Sequence, residues 1–199
     1  MKKILKLPLC DEDICGLQAG GIVYLCGTFV TGRDEVYRRI VQEGKASPLD
    51  LKGATIFHAG PIVRKKTNES AEYELVSIGP TSSIRMEKWA AGFIEKTGIK
   101  VMIGKGGMGE GTAEACRRNK AIHCIYPGGC AVLGAEQIEK IEGVYWPEMG
   151  MAECLWVMKA HEFGPLVVSI DAQGNNLFAE NSAYYASRRN AWINNGIPY

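Results

Sequence analysis

Short apolar runs alternate with segments of helical periodicity along most of the chain. Continuous apolar runs bounded by Gly, Pro or polar clusters are typical of buried strands, whereas apolar positions three or four apart indicate amphipathic helices. A further apolar stretch around a Gly-containing turn, residues 165–178, predicts two strands. The other predicted strands, two of which run into turns, cover 4–9, 21–30, 54–63, 99–104 and 121–129.

Helical periodicity fills most of the intervals between these strands. Gly44 and Gly98 are expected to end two helices, because glycine readily adopts the left-handed conformation of a helix C-terminus. Residues 64–73, RKKTNESAEY, are polar and are expected to form an exposed loop. A short helix is predicted to begin at Asp11. The other predicted helices cover 34–44, the segment that follows GPTSS and ends at Thr97, 112–121 and 131–143.

The order of the predicted elements indicates the fold class. From residue 79 to 143 helices and strands alternate, which is typical of an α/β core with parallel strands, and strand material at both ends adds antiparallel pairing. No internal repeat or linker interrupts the 199 residues, and a chain of this length can bury a substantial core. We therefore expect one domain over residues 1–199, with residues 179–199 as a terminal helix extension.

Composition excludes several classes of function. Lys and Arg total 23 against 22 Asp and Glu, so the formal charge of +1 provides no global attraction for nucleic acid or anionic lipid. The sequence has no signal-peptide pattern and no apolar run of the roughly 18 residues that a membrane span requires. We expect a soluble cytoplasmic protein.

The seven cysteines form no metal-binding pattern. No two are spaced as C-x-x-C, and only His123 adjoins one of them, so neither a zinc site nor an iron–sulfur cluster is predicted in this chain. Cys26 and Cys124 lie in strand-like runs and are expected to pack as small hydrophobic side chains. An odd count also argues against a closed framework of disulfides.

Three predicted strand-to-helix junctions each carry a cation. In parallel sheets such junctions meet at the carboxyl ends of the strands, where helix N-termini and backbone N–H groups favour anions. Two guanidiniums and an ammonium around a hydroxyl suit a small molecule with two carboxylates. The candidate residues are Arg33 in TGRD, Thr81 and Arg85 in GPTSSIR, and Lys105 with Gly104 and Gly106 in GKGGMG.

Each of these features also has an ordinary structural interpretation. Arg33 lies beside Asp34 and Arg85 lies near Glu87, so either guanidinium could pair with a neighbouring acid. GKGGMG matches the G-x-G-x-x-G pattern, but the next strand lacks an acidic residue at its end, and the lysine precedes the glycines, which argues against dinucleotide and phosphate-loop sites. The histidines share no motif with a serine or cysteine and are expected to be packed or on the surface: His58, His123 and His161.

Several motifs together resemble the C-terminal domain, or separate β subunit, of class I iron–sulfur fumarases and L(+)-tartrate dehydratases. This resemblance implies a swivelling three-layer β/β/α domain with a central parallel sheet and a second, antiparallel sheet. It covers roughly residues 4–178, and the motifs are TGRD (31–34), HAGP (58–61), GPTSSIRME (79–87), MIGKGGMG (102–109), YPGGCA (126–131) and PEMGMAE (147–153).

The sequence departs from the family's pattern in a few positions. Relatives commonly have A-R-D followed by A-H-K, where this chain has Gly32-Arg33-Asp34 and then Val36-Tyr37-Arg38, so a histidine is absent. Ser82 stands for the usual second threonine, and Glu87 for the usual aspartate. These changes leave the candidate cations and Thr81 intact, and they leave the substrate open.

The resemblance implies a hydro-lyase made of two subunits. A [4Fe-4S] cluster acts as a Lewis acid in the family, and an α subunit is expected to carry it, because this chain lacks the cluster's cysteines. The chain is then the β subunit, inactive alone, of an enzyme that hydrates fumarate to L-malate, with L(+)-tartrate dehydration as the alternative. The expected catalytic residues are Thr81, for proton transfer, together with Arg85 and Lys105. The expected substrate-binding residues are Arg33, Arg85, Lys105, Gly104 and Gly106.

Other assemblies and functions stay open on the sequence alone. A hetero-oligomer with the α subunit is expected, although the isolated chain could form a homodimer. The alternative from another class is a non-catalytic swivelling module that binds a small dicarboxylate or only a partner protein.

Overall fold

The computed structural model describes residues 3–66 and 72–194, which form an α/β fold. The strands of the described part are β1 (Lys3–Lys6), β2 (Ile22–Thr31), β3 (Thr55–Phe57), β4 (Ile62–Lys65), β5 (Tyr73–Ser77), β6 (Val101–Gly104), β7 (Ile122–Ile125), β8 (Ile138–Tyr145) and β9 (Leu155–Ile170). Its α-helices are α1 (Asp11–Cys15), α2 (Asp34–Tyr37), α3 (Glu87–Thr97), α4 (Glu110–Asn119), α5 (Ala131–Glu136) and α6 (Leu177–Asn194). A π-helical turn, Arg38–Gln42, continues α2, and 3₁₀ turns cover Ser83–Met86 and Pro147–Met149.

The main sheet is mixed and closes on itself. Its strand order is β1-β2-β3-β6-β7-β9-β8, and β2 also pairs with β9, so that β2, β3, β6, β7 and β9 form a closed barrel. β1, β2, β3, β6 and β7 run parallel, whereas β9 is antiparallel to β2, β7 and β8. β4 and β5 form a separate antiparallel pair.

This topology confirms part of the expected fold class and corrects another part. The α/β class and the second, small antiparallel sheet are confirmed. The expectation of a central parallel sheet is wrong, because the 16-residue β9 lies antiparallel between β7 and β2. The swivelling behaviour that the resemblance implies stays a prediction.

Side chains on the two faces of the barrel strands form two hydrophobic clusters. One cluster consists mainly of barrel residues such as Leu25, Phe57 and Phe163. The other lies between the sheet and α2, α3 and α4, and includes Ile56 and Phe93. Phe57 and its neighbour Ile56 thus face opposite sides, as the two-residue period of a strand requires.

Three predicted segments differ from the structure. The prediction of a helix over 131–143 is wrong after Glu136, because residues from Ile138 onward pair with β9 as β8. The predicted second strand in 165–178 is also wrong, since α6 begins at Leu177 directly after the turn. The predicted loop over 64–73 contains the ends of β4 and β5, and its centre, 67–71, lies outside the described residues.

Both predicted glycine stops have the expected backbone. Gly98 ends α3 with a φ of 67°, and Gly44 has a φ of 68° beyond the turn that follows α2. α6 runs to Asn194, and residues 195–199 of the expected terminal extension lie outside the described part. No helix among the described residues has the length and apolar character needed to cross a membrane.

Candidate active site

The candidate residues lie at, or pack against, the carboxyl ends of three neighbouring parallel strands. β2, β3 and β6 are adjacent in the sheet and point the same way, so their ends meet at one edge. Arg33 follows β2 by two positions, and Lys105 follows β6 directly. The segment that carries Thr81 and Arg85 lies against this edge through bridges between Ala59 and Pro80 and between Ser82 and Lys105.

The backbone of Thr81 is held between two strand ends. Its N–H donates to the carbonyl of His58, the residue after β3, at 2.6 Å, and its carbonyl accepts the Lys105 N–H at 3.0 Å. The Ser83 N–H then donates to the Lys105 carbonyl at 3.0 Å. The Thr81 side chain is half-buried, and its hydroxyl makes no hydrogen bond with any residue that the structure describes. That hydroxyl is available to a bound molecule.

The two arginines pair with acids other than those expected from the sequence. Arg85 Nη2 contacts Asp34 Oδ2 at 2.5 Å, which joins the start of α2 to the turn before α3. Arg33 Nε lies 3.2 Å from Glu153 Oε1, although that buried nitrogen makes no aligned hydrogen bond. Because a guanidinium has five N–H donors, both arginines retain donors for a ligand after these contacts.

Glu87 does not pair with Arg85 and instead caps α4. Its carboxylate accepts the Gly109 N–H at 2.7 Å, the Thr112 N–H at 3.1 Å and the Thr112 hydroxyl at 2.6 Å. A carboxylate at this position satisfies free N–H groups and complements the helix dipole. The N-terminus of α4 is therefore occupied by the chain's own acid, which leaves the side chains of the edge to bind an anion.

Lys105 is the candidate cation without an acidic partner among the described residues. Its side chain is exposed, and its stem passes close to Gly128, where a Cβ atom would lie 3.1 Å from Lys105 Cδ. Since no carboxylate of the described chain neutralises it, its ammonium can contribute its full charge to a bound anion.

The two candidate glycines have different environments. Gly104 is buried, and a Cβ atom there would lie only 1.9 Å from Ser83 Oγ. Gly106 has a φ of 75°, with nothing within 4 Å of the position of a Cβ atom. Gly104 thus leaves room for Ser83, while Gly106 supplies a left-handed turn beside Lys105. Their role in substrate binding stays a prediction.

Among the candidate side chains, Arg85 and Lys105 are exposed, whereas Arg33 and Thr81 are partly buried. Clefts of about 370, 430 and 680 Å³ occur elsewhere on the described surface, and none of their walls contains Arg33, Thr81, Arg85 or Lys105. The set combines three cations and one free hydroxyl with the carboxylates of Asp34 and Glu153. A dianionic molecule would therefore find excess positive charge here.

The described residues of this chain do not fit an iron–sulfur cluster. Among residues 3–66 and 72–194, no three His, Cys, Asp or Glu side chains lie close enough to hold a metal ion. All seven cysteines are free thiols, and three of them, Cys116, Cys124 and Cys154, are buried. Burial raises the pKa of the Cys116 thiol to about 12, which keeps it protonated and unreactive at neutral pH.

Sequence reasoning missed two sets of residues at this site. Glu153 lies in the PEMGMAE motif and contacts Arg33, so its position in that motif was the only local signal. His58 and His123 are buried, as expected of packed histidines, but both contact Ser83 of the GPTSSIR motif. No local motif links these residues, because they are joined only by the strand order.

The chain is similar in sequence to a protein family and to several known proteins. Residues 2–181 match the family model described as Fumarase C-terminus. The chain is 53% identical over 189 residues to the L(+)-tartrate dehydratase subunit beta of Escherichia coli (strain K12). This match covers 95% of this chain and 92% of the Escherichia coli protein. It is 39% identical over 176 residues to a putative L(+)-tartrate dehydratase subunit beta of Methanocaldococcus jannaschii, with 86% and 89% covered.

A longer relative extends the comparison. The chain is 35% identical over 173 residues to a putative fumarate hydratase class I of Geobacillus stearothermophilus, and the match covers 87% of this chain but 33% of that protein. These relatives place the chain among hydro-lyase subunits and domains. It belongs to the fumarase C-terminus family, as the sequence motifs predicted.

Proposed function

We propose that this chain is the β subunit of an L(+)-tartrate dehydratase and that it supplies the substrate-binding and proton-transfer side chains of the active site. One observation carries the proposal: the free Thr81 hydroxyl and the unpaired Lys105 ammonium arise from backbone segments hydrogen-bonded to each other, beside Arg33 and Arg85. The similarity to tartrate dehydratase β subunits over nearly the whole chain supports the choice of substrate.

Hydration of fumarate, which the resemblance alone ranked first, becomes the second candidate. It is supported by the similarity to a putative class I fumarate hydratase, at lower identity and over a third of that protein. Both reactions use a substrate with two carboxylates, so the same cations serve either one. The relatives named tartrate dehydratase match at higher identity, which favours tartrate.

Dehydration of tartrate removes a proton from one carbon and hydroxide from the next. Negative charge then accumulates on the carboxylate attached to the carbon that loses its proton. Arg33, Arg85 and Lys105 would bind the carboxylates and stabilise this charge, because the attraction of fixed cations for the carboxylate increases as its negative charge develops. Thr81 would transfer the proton through its hydroxyl, which the structure leaves without an internal partner.

The second wall of the site is assigned to an α subunit. The relatives' name, subunit beta, implies a partner chain, and the exposed side chains of Arg85 and Lys105 are accessible to one. We assign the [4Fe-4S] cluster of the family to that partner, because the described residues of this chain offer no ligand set for it.

Substrate preference of the reconstituted enzyme tests the proposal. The chain would be co-expressed anaerobically with its α subunit, and kcat/KM would be measured for L(+)-tartrate, fumarate and L-malate. We expect L(+)-tartrate to be preferred. A higher kcat/KM for fumarate would favour the second candidate, and binding of dicarboxylates without turnover of any would favour the non-catalytic module.

Replacement of Arg85 by lysine is expected to raise KM. Lysine retains the positive charge but loses the planar fork that can hold both Asp34 and a substrate carboxylate. Loss of one charge-assisted hydrogen bond should lower kcat/KM by about tenfold or more. The matched control is Arg64→Lys, which alters an exposed pair with Glu74 on the separate hairpin. Equal kinetics for Arg85→Lys and Arg64→Lys would argue against substrate contact by Arg85.

Replacement of Gly60 by alanine is expected to displace Arg33. A Cβ atom at Gly60 would lie 2.7 Å from Arg33 Nη1 and 3.0 Å from the Ala152 carbonyl oxygen. A binding group moved by about 1 Å can cost up to about 100-fold, so we expect KM to rise by roughly tenfold. Gly16→Ala is the control, because nothing lies within 4 Å of its Cβ position. An unchanged KM in Gly60→Ala would argue against contact between Arg33 and the substrate.

A further inference from the structure

A row of five buried polar side chains lies beneath the exposed edge. Tyr37 Oη is 2.7 Å from His58 Nε2, and His58 Nδ1 is 2.9 Å from Ser83 Oγ. Ser83 Oγ is also 2.9 Å from His123 Nε2, and His123 Nδ1 is 2.5 Å from Ser169 Oγ. All five residues are fully buried. We call them the polar row: Tyr37, His58, Ser83, His123 and Ser169.

Ser83 lies at the centre of the polar row because β6 carries a glycine. β6 lies between β3 and β7, and His58 follows β3 while His123 belongs to β7. The Ser83 side chain crosses β6 over Gly104, where a Cβ atom would be 1.9 Å from Ser83 Oγ and 2.9 Å from His58 Nδ1. Only a residue without a side chain at position 104 lets Ser83 contact the histidines on both sides.

One direction of hydrogen bonding satisfies every member of the polar row. The Ser169 hydroxyl can donate to the His123 carbonyl at 3.2 Å, and it then accepts the His123 Nδ1–H. His123 Nε2 accepts from Ser83, Ser83 accepts the His58 Nδ1–H, and His58 Nε2 accepts from Tyr37. The reverse direction would leave the Tyr37 hydroxyl hydrogen without an acceptor among the described residues.

Both imidazoles of the polar row are neutral in this arrangement. Burial lowers the pKa of His123 to about 3, and burial together with His123 lowers the pKa of His58 well below its ordinary value. At neutral pH the row therefore carries no charge and does not titrate. Its contribution to the site is fixed geometry and not proton uptake.

We propose that Ser83 is a positioning residue that fixes Thr81 and Lys105 relative to each other through the polar row. This inference rests on the proposed function for its catalytic consequence. Ser83 ties the 79–85 segment to β3 and β7 by its side chain and to Lys105 by its N–H. Tyr37 extends the same network to α2, which begins one residue after Arg33.

The catalytic consequence follows from the size of the displacement that Ser83 prevents. Apart from the Ser83 side chain, half-buried Thr81 and its neighbour Ser83 are held to the strand ends by three backbone hydrogen bonds, one to His58 and two to Lys105. A shift of about 1 Å in a reacting group can cost about 100-fold in rate. Loss of the Ser83 hydroxyl should therefore reduce turnover even though Ser83 is buried and does not face the substrate.

Ser83→Ala and Ser169→Ala form a matched pair of variants. Each removes one hydroxyl from the polar row at a fully buried position, but only Ser83 belongs to the segment that carries Thr81. In the reconstituted two-subunit enzyme, we expect Ser83→Ala to lower kcat by about tenfold or more, and Ser169→Ala to change it less than about threefold. Both variants should lower the melting temperature.

Hydrogen exchange of the full-length chain provides a readout that does not depend on turnover. The Thr81 amide donates to the His58 carbonyl and the Lys105 amide to the Thr81 carbonyl, and both amides should exchange at least about tenfold faster in Ser83→Ala than in Ser169→Ala. Equal exchange rates and equal kcat in the two variants would overturn the positioning role. If the wild-type enzyme does not turn over L(+)-tartrate, the proposed substrate fails, while the exchange rates still decide the role of Ser83.

Gly104→Ala tests the same contact from the other side. Its Cβ atom would displace the Ser83 side chain, so the variant should show the same loss of kcat and the same faster exchange at Thr81 and Lys105. The two changes disrupt one contact, and the double variant Gly104→Ala/Ser83→Ala should therefore lose less than the product of the single losses. Losses that multiply fully would show that Gly104 and Ser83 act independently, against the proposal.

Discussion

Thr81→Val is expected to lower kcat of the reconstituted two-subunit enzyme by about 100-fold or more, because general acid–base groups contribute at least this much. Valine retains the shape of threonine and removes only the hydroxyl. The backbone hydrogen bonds of Thr81 to His58 and Lys105 do not involve its side chain and should persist. KM should therefore change little, and steady-state kinetics on L(+)-tartrate measures both parameters.

Thr81→Ser provides the control for this prediction. Serine restores the hydroxyl and lacks only the methyl group, so it should recover most of the lost kcat. A Thr81→Val enzyme with nearly wild-type kcat would contradict a role for Thr81 in proton transfer. Equal losses in Thr81→Val and Thr81→Ser would instead assign the effect to packing of the methyl group.

Lys105→Met is expected to lower kcat/KM by roughly 10- to 150-fold, which corresponds to about 1.5 to 3 kcal/mol for one hydrogen bond to a charged group. Methionine is unbranched and can follow the path of the lysine stem past Gly128. The effect should be large because Lys105 has no carboxylate partner in the described chain, so its charge is not already compensated.

Lys52→Met is the matched control for Lys105→Met. Lys52 is also exposed, but it precedes β3 and therefore lies at the opposite edge of the sheet. It should leave kcat/KM within about twofold, as surface changes away from a site usually do. A similar loss in both variants, or no loss in Lys105→Met, would remove Lys105 from the substrate site.

The clustering of the candidate residues at one edge of the main sheet could largely be predicted from the sequence, because it depends on local patterns. Arg33 and Lys105 each follow a short apolar run, and parallel strands bring the carboxyl ends of those runs together. Thr81 instead follows β5 of the separate antiparallel pair and reaches the edge through isolated bridges. The prediction failed where pairing partners are distant in sequence. Ile138 and Ile141 have helical spacing, but β8 forms because the edge of the long β9 accepts it.

The contacts within the site could not be predicted, because sequence neighbours do not pair there. Asp34 adjoins Arg33 in sequence but contacts Arg85, while Arg33 contacts Glu153 from the segment before β9. Glu87 is two residues from Arg85, yet its carboxylate caps α4. Each pairing follows from the direction in which a helix or strand presents a side chain, which only the assembled sheet determines.

The buried contacts of the polar row could not be predicted from the sequence for the same reason. Ser83 and His123 are 40 residues apart, and His123 and Ser169 are 46 apart. No motif joins them in the sequence. They meet because β3, β6 and β7 are adjacent and because Gly104 leaves space above β6.

Titration of the α subunit with this chain tests the central claim most directly. The claim is that this chain supplies one half of a tartrate dehydratase active site and that the α subunit supplies the other. Formation of oxaloacetate from L(+)-tartrate would be followed under anaerobic conditions at a fixed amount of α subunit. We expect no turnover with either chain alone and a rate that saturates at equal amounts of the two chains. Full turnover by the α subunit alone, or by this chain alone, would contradict the claim.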